Sequence, residues 1–209
     1  MPGRLKQVLY MEINILLNNY CNQSCSYCFA QGYMSSSRKR LGKADMTYEG
    51  FKKVIKLLCR ERISICKLSG GEPTLHPGFK RFVAHALDAR ISRVQVCTNG
   101  LFSDDIASFL EMNKSNISYL WNINAPDSYT GKNREILRSN LRRLVPCGHS
   151  TFGVNFYAAN VRGGFIMPML KEYRPQLLRL CPTHPSGKEP RNVFVPTSAS
   201  RNILCSIIG

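Results

Sequence analysis

Runs of period two alternate with runs of period three to four along this chain, and that alternation restricts the fold to parallel α/β architecture. Residues 12–17 (Glu12, Ile13, Asn14, Ile15, Leu16, Leu17) read as the first strand, followed by a long irregular stretch through Ser35 to Lys43. Thr47 is an N-cap, and Phe51, Val54, Ile55 and Leu58 fall on one face of the helix behind it. Residues 63–68 form a second strand that ends at Gly70-Gly71, and Pro77 opens a helix with Phe79, Phe82, Val83 and Ala86 on its buried side. Further strands are read at 93–97, 117–124, 151–157 and 176–180. Helices follow Ser103, run over 132–144 and 165–173, and begin again at 203–208. Strand starts recur at the length of a βα unit, so six strands and their helices predict one parallel sheet.

The strand faces add shape. Tyr119, Trp121 and Ile123 oppose Ser118, Asn122 and Asn124; Phe152, Val154 and Phe156 oppose Thr151, Asn155 and Tyr157. Val94 and Val96 likewise oppose Gln95, Cys97 and Asn99, and Ile13, Ile15 and Leu17 oppose Glu12, Asn14 and Asn18. A flat parallel sheet covered on both sides is apolar on both faces. One repeatedly polar face predicts a curved sheet with helices outside and a polar concave interior, its site at the C-terminal strand ends.

Composition narrows the partners. Lys and Arg number 29 against 13 Asp and Glu, a net charge of +16, so an acidic partner is expected. The start, Met1 to Tyr10, has no apolar core of a leader, and no uninterrupted apolar run approaches the ~18 residues of a membrane helix. Without a membrane span, the chain is read as cytoplasmic. Its nine cysteines are then reduced thiols available to metal, redox chemistry or packing.

Three of those cysteines, Cys21, Cys25 and Cys28, form a C-x3-C-x2-C run in the loop after the first strand. Three thiolates within eight residues can surround one soft metal centre, one short of the four of a closed zinc site or an ordinary cluster. A zinc knuckle with a borrowed fourth ligand has the same spacing. The second motif is Gly70-Gly71-Glu72-Pro73 after the second strand, where glycines admit close backbone approach and Glu72 offers a carboxylate to an ammonium group. Cys59, Cys66, Cys97, Cys147, Cys181 and Cys205 form no close pair, although Cys97 and Cys181 sit near strand ends. Of the histidines, His184 alone is placed for the site, and His85 is expected on the solvent side of its helix.

With Cys21, Cys25, Cys28, the aromatic Tyr27, Gly70-Gly71-Glu72-Pro73 and Thr98-Asn99-Gly100, the sequence resembles the radical S-adenosylmethionine superfamily. It is closest in character to the branch that modifies peptides and proteins or matures cofactors. The resemblance implies a partial (β/α)6 barrel, one core domain over 1–209, shortened at its C-terminal end relative to longer relatives. It implies a 4Fe–4S cluster on Cys21, Cys25 and Cys28, with one iron open to the amino and carboxylate groups of S-adenosylmethionine. Reductive cleavage would release methionine and a 5′-deoxyadenosyl radical that abstracts hydrogen from substrate. Gly70, Gly71 and Glu72 match the turn that holds the methionine ammonium, and Tyr27 matches the position near the adenine. Thr98, Asn99, Asn122, Asn124 and Asn155 match places where relatives contact cofactor or substrate. The fifth strand departs from the family by lacking a G-x-I-x-G-x-x-E pattern.

The resemblance also implies a one-electron reductant such as flavodoxin or ferredoxin, and it names no catalytic residue in this chain. For the substrate, two basic runs (Arg38, Lys39, Arg40, Lys43 and the Arg134, Arg138, Arg142 stripe) favour an acidic peptide or protein. No aromatic residues interleave the stripe, which argues against single-stranded nucleic acid. The competing reading is a non-catalytic iron–sulfur or zinc module that binds nucleic acid through the charge excess.

Overall fold

The computed structural model describes residues 11–28, 30–156 and 163–183. Six strands, β1 (Glu12–Leu16), β2 (Ile65–Ser69), β3 (Arg93–Thr98), β4 (Ile117–Ile123), β5 (His149–Phe156) and β6 (Leu177–Pro182), form one sheet in sequence order. All five pairings are parallel. Among the described residues β6 does not pair with β1, so the sheet is an open, partial (β/α)6 barrel. The helices are α1 (Gln31–Leu41), α2 (Tyr48–Arg60), α3 (Phe79–Asp88), α4 (Asp104–Met112), α5 (Gly131–Leu144) and α6 (Ile166–Tyr173). The expected helix at 203–208, His184, Cys205 and Tyr157 lie outside the described residues.

The core occupies the convex side. Phe51, Ile55 and Leu58 of α2, Phe79, Phe82 and Val83 of α3, and Leu137, Leu141 and Leu144 of α5 pack on the apolar strand faces. Tyr119, Trp121, Phe152 and Val154 supply those faces, as their alternation predicts. Phe51 and Phe82 stack at 4.4 Å between centroids, joining α2 to α3. The capping signals act as read: Thr47 accepts from Gly50 N–H and Ser103 from Ile106 N–H. The concave face keeps Lys67, Gln95, Asn122 and Asn155 only partly covered.

Three expectations need correction. The stretch read as irregular after the cysteines contains α1, which has no side-chain cap, buries only Met34 and carries three serines in place of an apolar stripe. Tertiary tethers hold it: Asn19 Nδ2 donates to Ser37 Oγ (3.0 Å) and to Gly42 O (3.1 Å). Arg38, Lys39 and Arg40 of the basic run are therefore helical, in the last turn of α1 where the helix dipole favours cations, and Lys43 lies beyond it. The helix expected from Pro77 starts at Phe79, after a short 3₁₀ turn at Pro73–Leu75. His85 is half-buried rather than on the solvent side, because its ring packs edge-on against Tyr48.

Candidate active site

The site is assembled by two loops that interlock above the ends of β1, β2 and β3. Asn18, just past β1, clamps the glycine turn: its Oδ1 accepts from Gly71 N–H (3.0 Å) and its Nδ2 donates to Glu72 O (2.7 Å). Glu72 N–H donates to Tyr20 O at 2.9 Å. Gly70 has φ +154°, and a Cβ there would stand 2.5 Å from Asn18 Oδ1. A Cβ on Gly71 would stand 1.9 Å from Tyr20 O. The close approach that demands glycine is thus to the cysteine loop itself, whereas the motif alone pointed to a ligand.

Glu72 is 1% exposed. Its Oε1 accepts from Thr74 Oγ1 (2.7 Å), Thr74 N–H (3.3 Å) and Thr98 Oγ1 (2.8 Å), and its Oε2 from Asn99 N–H (2.8 Å). Burial pushes its carboxyl above the usual carboxylate range, and these hydrogen bonds oppose that shift. Thr98 and Asn99, expected from the resemblance to contact cofactor or substrate, are brought to the turn through this one carboxylate. Asn99 then reaches the cysteine loop: its Nδ2 donates to Asn22 Oδ1 (2.8 Å) and to Cys21 Sγ (3.5 Å).

Cys21, Cys25 and Cys28 are half-buried and line one cavity with Gly70, Gly71 and Glu72. Among the described residues, no three His, Cys, Asp or Glu side chains stand close enough to hold a single ion. A multi-iron cluster demands less convergence, since each thiolate binds its own iron. The donor set suits anionic sulfur: Gln23 N–H donates to Cys21 Sγ (3.4 Å) and Asn124 Nδ2 to Cys25 Sγ (3.7 Å). Burial pushes the Cys21 thiol up to about 11, so metal loading would displace a proton from it.

Tyr27, Asn122, Asn124 and Asn155 are brought together in one network. Asn155 Nδ2 donates to Asn122 Oδ1 (2.9 Å), Asn122 Nδ2 to Tyr27 Oη (2.9 Å), and Tyr27 Oη to Asn124 Oδ1. Asn122 and Asn155 face the cavity, whose volume of about 310 Å³ is within the range of small-molecule sites. Cys97 and Cys181 also line it, as do Gln23, Gln31, Met34 and Arg179, which sequence reasoning did not single out. Among the described residues the other thiols are apart. Cys66 is fully buried, Cys59 is exposed on α2, and Cys147 donates to Arg143 O at 3.1 Å.

The chain is similar to known proteins in sequence and in fold. The probable GTP 3′,8-cyclase of Methanocaldococcus jannaschii is 26% identical over 157 residues, 72% of this chain and 50% of that protein. The sporulation killing factor maturation protein SkfB of Bacillus subtilis is 31% identical over 126 residues, 60% of this chain and 29% of that protein. The chain spans half the length, or less, of these relatives. The crystal structure of Streptococcus suis SuiB bound to S-adenosylmethionine superposes with a TM-score of 0.70 at 13% identity, over 94% of this chain and 46% of that one, a likeness of fold. The family profile for the Radical SAM superfamily matches residues 15–151. Because that match runs from β1 into β5, through both interlocked loops and more than half of the sequence, the chain belongs to the Radical SAM superfamily.

Proposed function

We propose that residues 1–209 form a single core domain of a radical S-adenosylmethionine enzyme, with a 4Fe–4S cluster held by Cys21, Cys25 and Cys28. The observation that carries the reading is the shared cavity wall of these thiols and the glycine turn, with side-chain N–H donors on two of the sulfurs. When bound and reduced, the cluster and S-adenosylmethionine supply one-electron cleavage of the sulfonium and a 5′-deoxyadenosyl radical.

The chain's own residues orient and shield. Gly70 and Gly71 offer backbone to the methionine end, and Glu72 Oε2, which among the described residues accepts from Asn99 alone, has capacity left for the ammonium. Thr98 and Asn99 hold that carboxylate in place. Asn122 and Asn155, backed by Tyr27 and Asn124, form the opposite wall for the nucleoside. No group in the chain is assigned a proton transfer.

The substrate we favour is an acidic peptide or protein, and the electron donor a flavodoxin or ferredoxin. The support is the exposed basic turn Arg38, Lys39 and Arg40 of α1, which directly follows the cysteine loop. The α5 stripe supports a partner less, because Arg142 pairs with Glu172 (2.9 Å) and Arg134 donates to Pro126 O (2.8 Å). We place the protein in the cytoplasm, where thiols stay reduced; no described helix is long and apolar enough to cross a membrane. The competing iron–sulfur or zinc module leaves the interlocked turn and the asparagine network without a role.

The test is anaerobic reconstitution with iron and sulfide, then reaction with S-adenosylmethionine and dithionite. The expected products are 5′-deoxyadenosine and methionine. A loaded cluster with no cleavage would return the chain to the binding-module reading.

A further inference from the structure

Asn122, Gly153 and Arg179 are register partners across β4, β5 and β6, and all three line the cavity. Two strand spacings separate the outer pair, so their backbones stand about 10 Å apart. Gly153 between them carries no side chain. A Cβ there would meet Leu120 Cδ1 and Trp121 O at 3.4 Å, ordinary contact, so the bare position is a notch that the chain does not need for its own packing. One wall is fixed, because the Asn122 carboxamide is engaged by Tyr27 and Asn155.

The other wall is a charge. Arg179 is exposed on the inner face, and among the described residues no carboxylate pairs with it. Lys67, on the inner face of β2, is paired with Glu12. The positive field of Arg179 reaches the Cys97 thiol on β3, opposed there by burial and by Glu72. A guanidinium with its planar fork of donors unspent matches an oxyanion bidentately. The methionine end of the cofactor does not account for it. The glycine turn follows β2, four strand spacings from β6, about 19 Å along the sheet. On the reading proposed above, the cofactor's amino and carboxylate groups, which share one carbon, would both be held at that turn.

We propose that the notch over Gly153 seats an oxyanion of the substrate, a carboxylate or a phosphate, anchored by Arg179 with Asn122 as the facing wall. This rests on the reading of the cavity as a radical S-adenosylmethionine active site. It identifies the substrate as an anionic molecule whose charged group lies across the cavity from the cysteine loop.

The test is calorimetric titration of the reconstituted chain, saturated with S-adenosylmethionine and held at constant ionic strength, with glutarate and separately with inorganic phosphate. At least one probe is expected to bind, glutarate reporting a carboxylate site and phosphate a phosphate site. Arg179→Met should weaken that binding tenfold or more and Arg179→Lys by less. Gly153→Val keeps the cation and fills the notch, and should also weaken binding tenfold. Arg138→Met removes the same charge from α5 and should leave it unchanged. Binding of neither probe, or equal losses in Arg179→Met and Arg138→Met, would overturn the proposal. So would probe binding that is seen without S-adenosylmethionine and lost on saturation with it, which would assign Arg179 to the cofactor. Equilibrium dialysis of S-adenosylmethionine with the unmodified chain separates the two readings. No cofactor binding sinks the enzyme reading, whereas cofactor binding without anion binding sinks only this one.

Discussion

The Asn99 side-chain amide donates to the Cys21 sulfur across 3.5 Å, so the end of β3 touches the first cysteine of the loop after β1. The same residue donates its backbone N–H to Glu72 and accepts Leu101 N–H on Oδ1. Asn99 is therefore a positioning residue for both the sulfur and the carboxylate. Hydrogen bonds to cluster sulfurs stabilise the reduced, more negative state. Asn99→Ala should keep the cluster and shift its midpoint potential negative. Redox titration followed by electron paramagnetic resonance reads the shift, and an unchanged potential would show that the contact does not reach the cluster.

Changing Cys21, Cys25 and Cys28 together to Ala should abolish bound iron and acid-labile sulfide after reconstitution. Among the described residues the remaining thiols are dispersed over α2, β2, β3, β6 and the turn before β5. Retention of four irons in the triple variant would mean that a second cluster exists and that those thiols have been misassigned.

Glu72→Ala would strand the Thr74 and Thr98 hydroxyls and the Asn99 N–H in a buried site. Unsatisfied buried groups cost about 1–3 kcal/mol each, so a loss of about 3 kcal/mol or more is expected. For a chain of this size that lowers Tm by roughly 6–12 °C. Glu72→Gln retains much of the network and should fold while binding S-adenosylmethionine more weakly. Thermal unfolding and equilibrium dialysis distinguish the two effects, and full cofactor affinity in the Gln variant would remove Glu72 from the cofactor site.

Gly71→Ala forces a Cβ into the Tyr20 carbonyl. Overpacking of this kind costs about 1–3 kcal/mol. Because the displaced atoms belong to the residue before Cys21, reconstituted iron content should fall along with Tm. A variant with lower Tm and full iron would show that the two loops move independently.

Cys97 lines the cavity, and burial pushes its thiol up to about 11 against the opposing field of Lys67. A raised thiol value means less thiolate at neutral pH, so alkylation at pH 7 should be slow. Its rate with iodoacetamide should rise about tenfold per pH unit and continue to rise beyond pH 9. Peptide mapping after timed alkylation follows this residue alone, and a plateau near pH 8.5, the ordinary thiol value, would contradict the burial seen here.

The strand and helix alternation made the parallel sheet legible because each element carries its own period: Trp121 and Phe152 point to the core for local reasons that a sequence displays. The three cysteines and the glycine turn were legible as motifs because their chemistry depends on residue type and short spacing. Other features were decided at long range. Helix α1 has no periodic stripe, and tethers from Asn19 hold it. The reason for Gly71 is the Tyr20 carbonyl, more than fifty residues earlier, which no local pattern records. Asn18, Asn99 and Asn124 carry their meaning only once β1 to β4 are assembled into one sheet and their amides reach the turn or the sulfurs. Arg179 is one more basic residue in a chain of net charge +16 until register sets it beside the bare Gly153, because a strand's sequence reveals which face a residue takes but not which neighbours share its row.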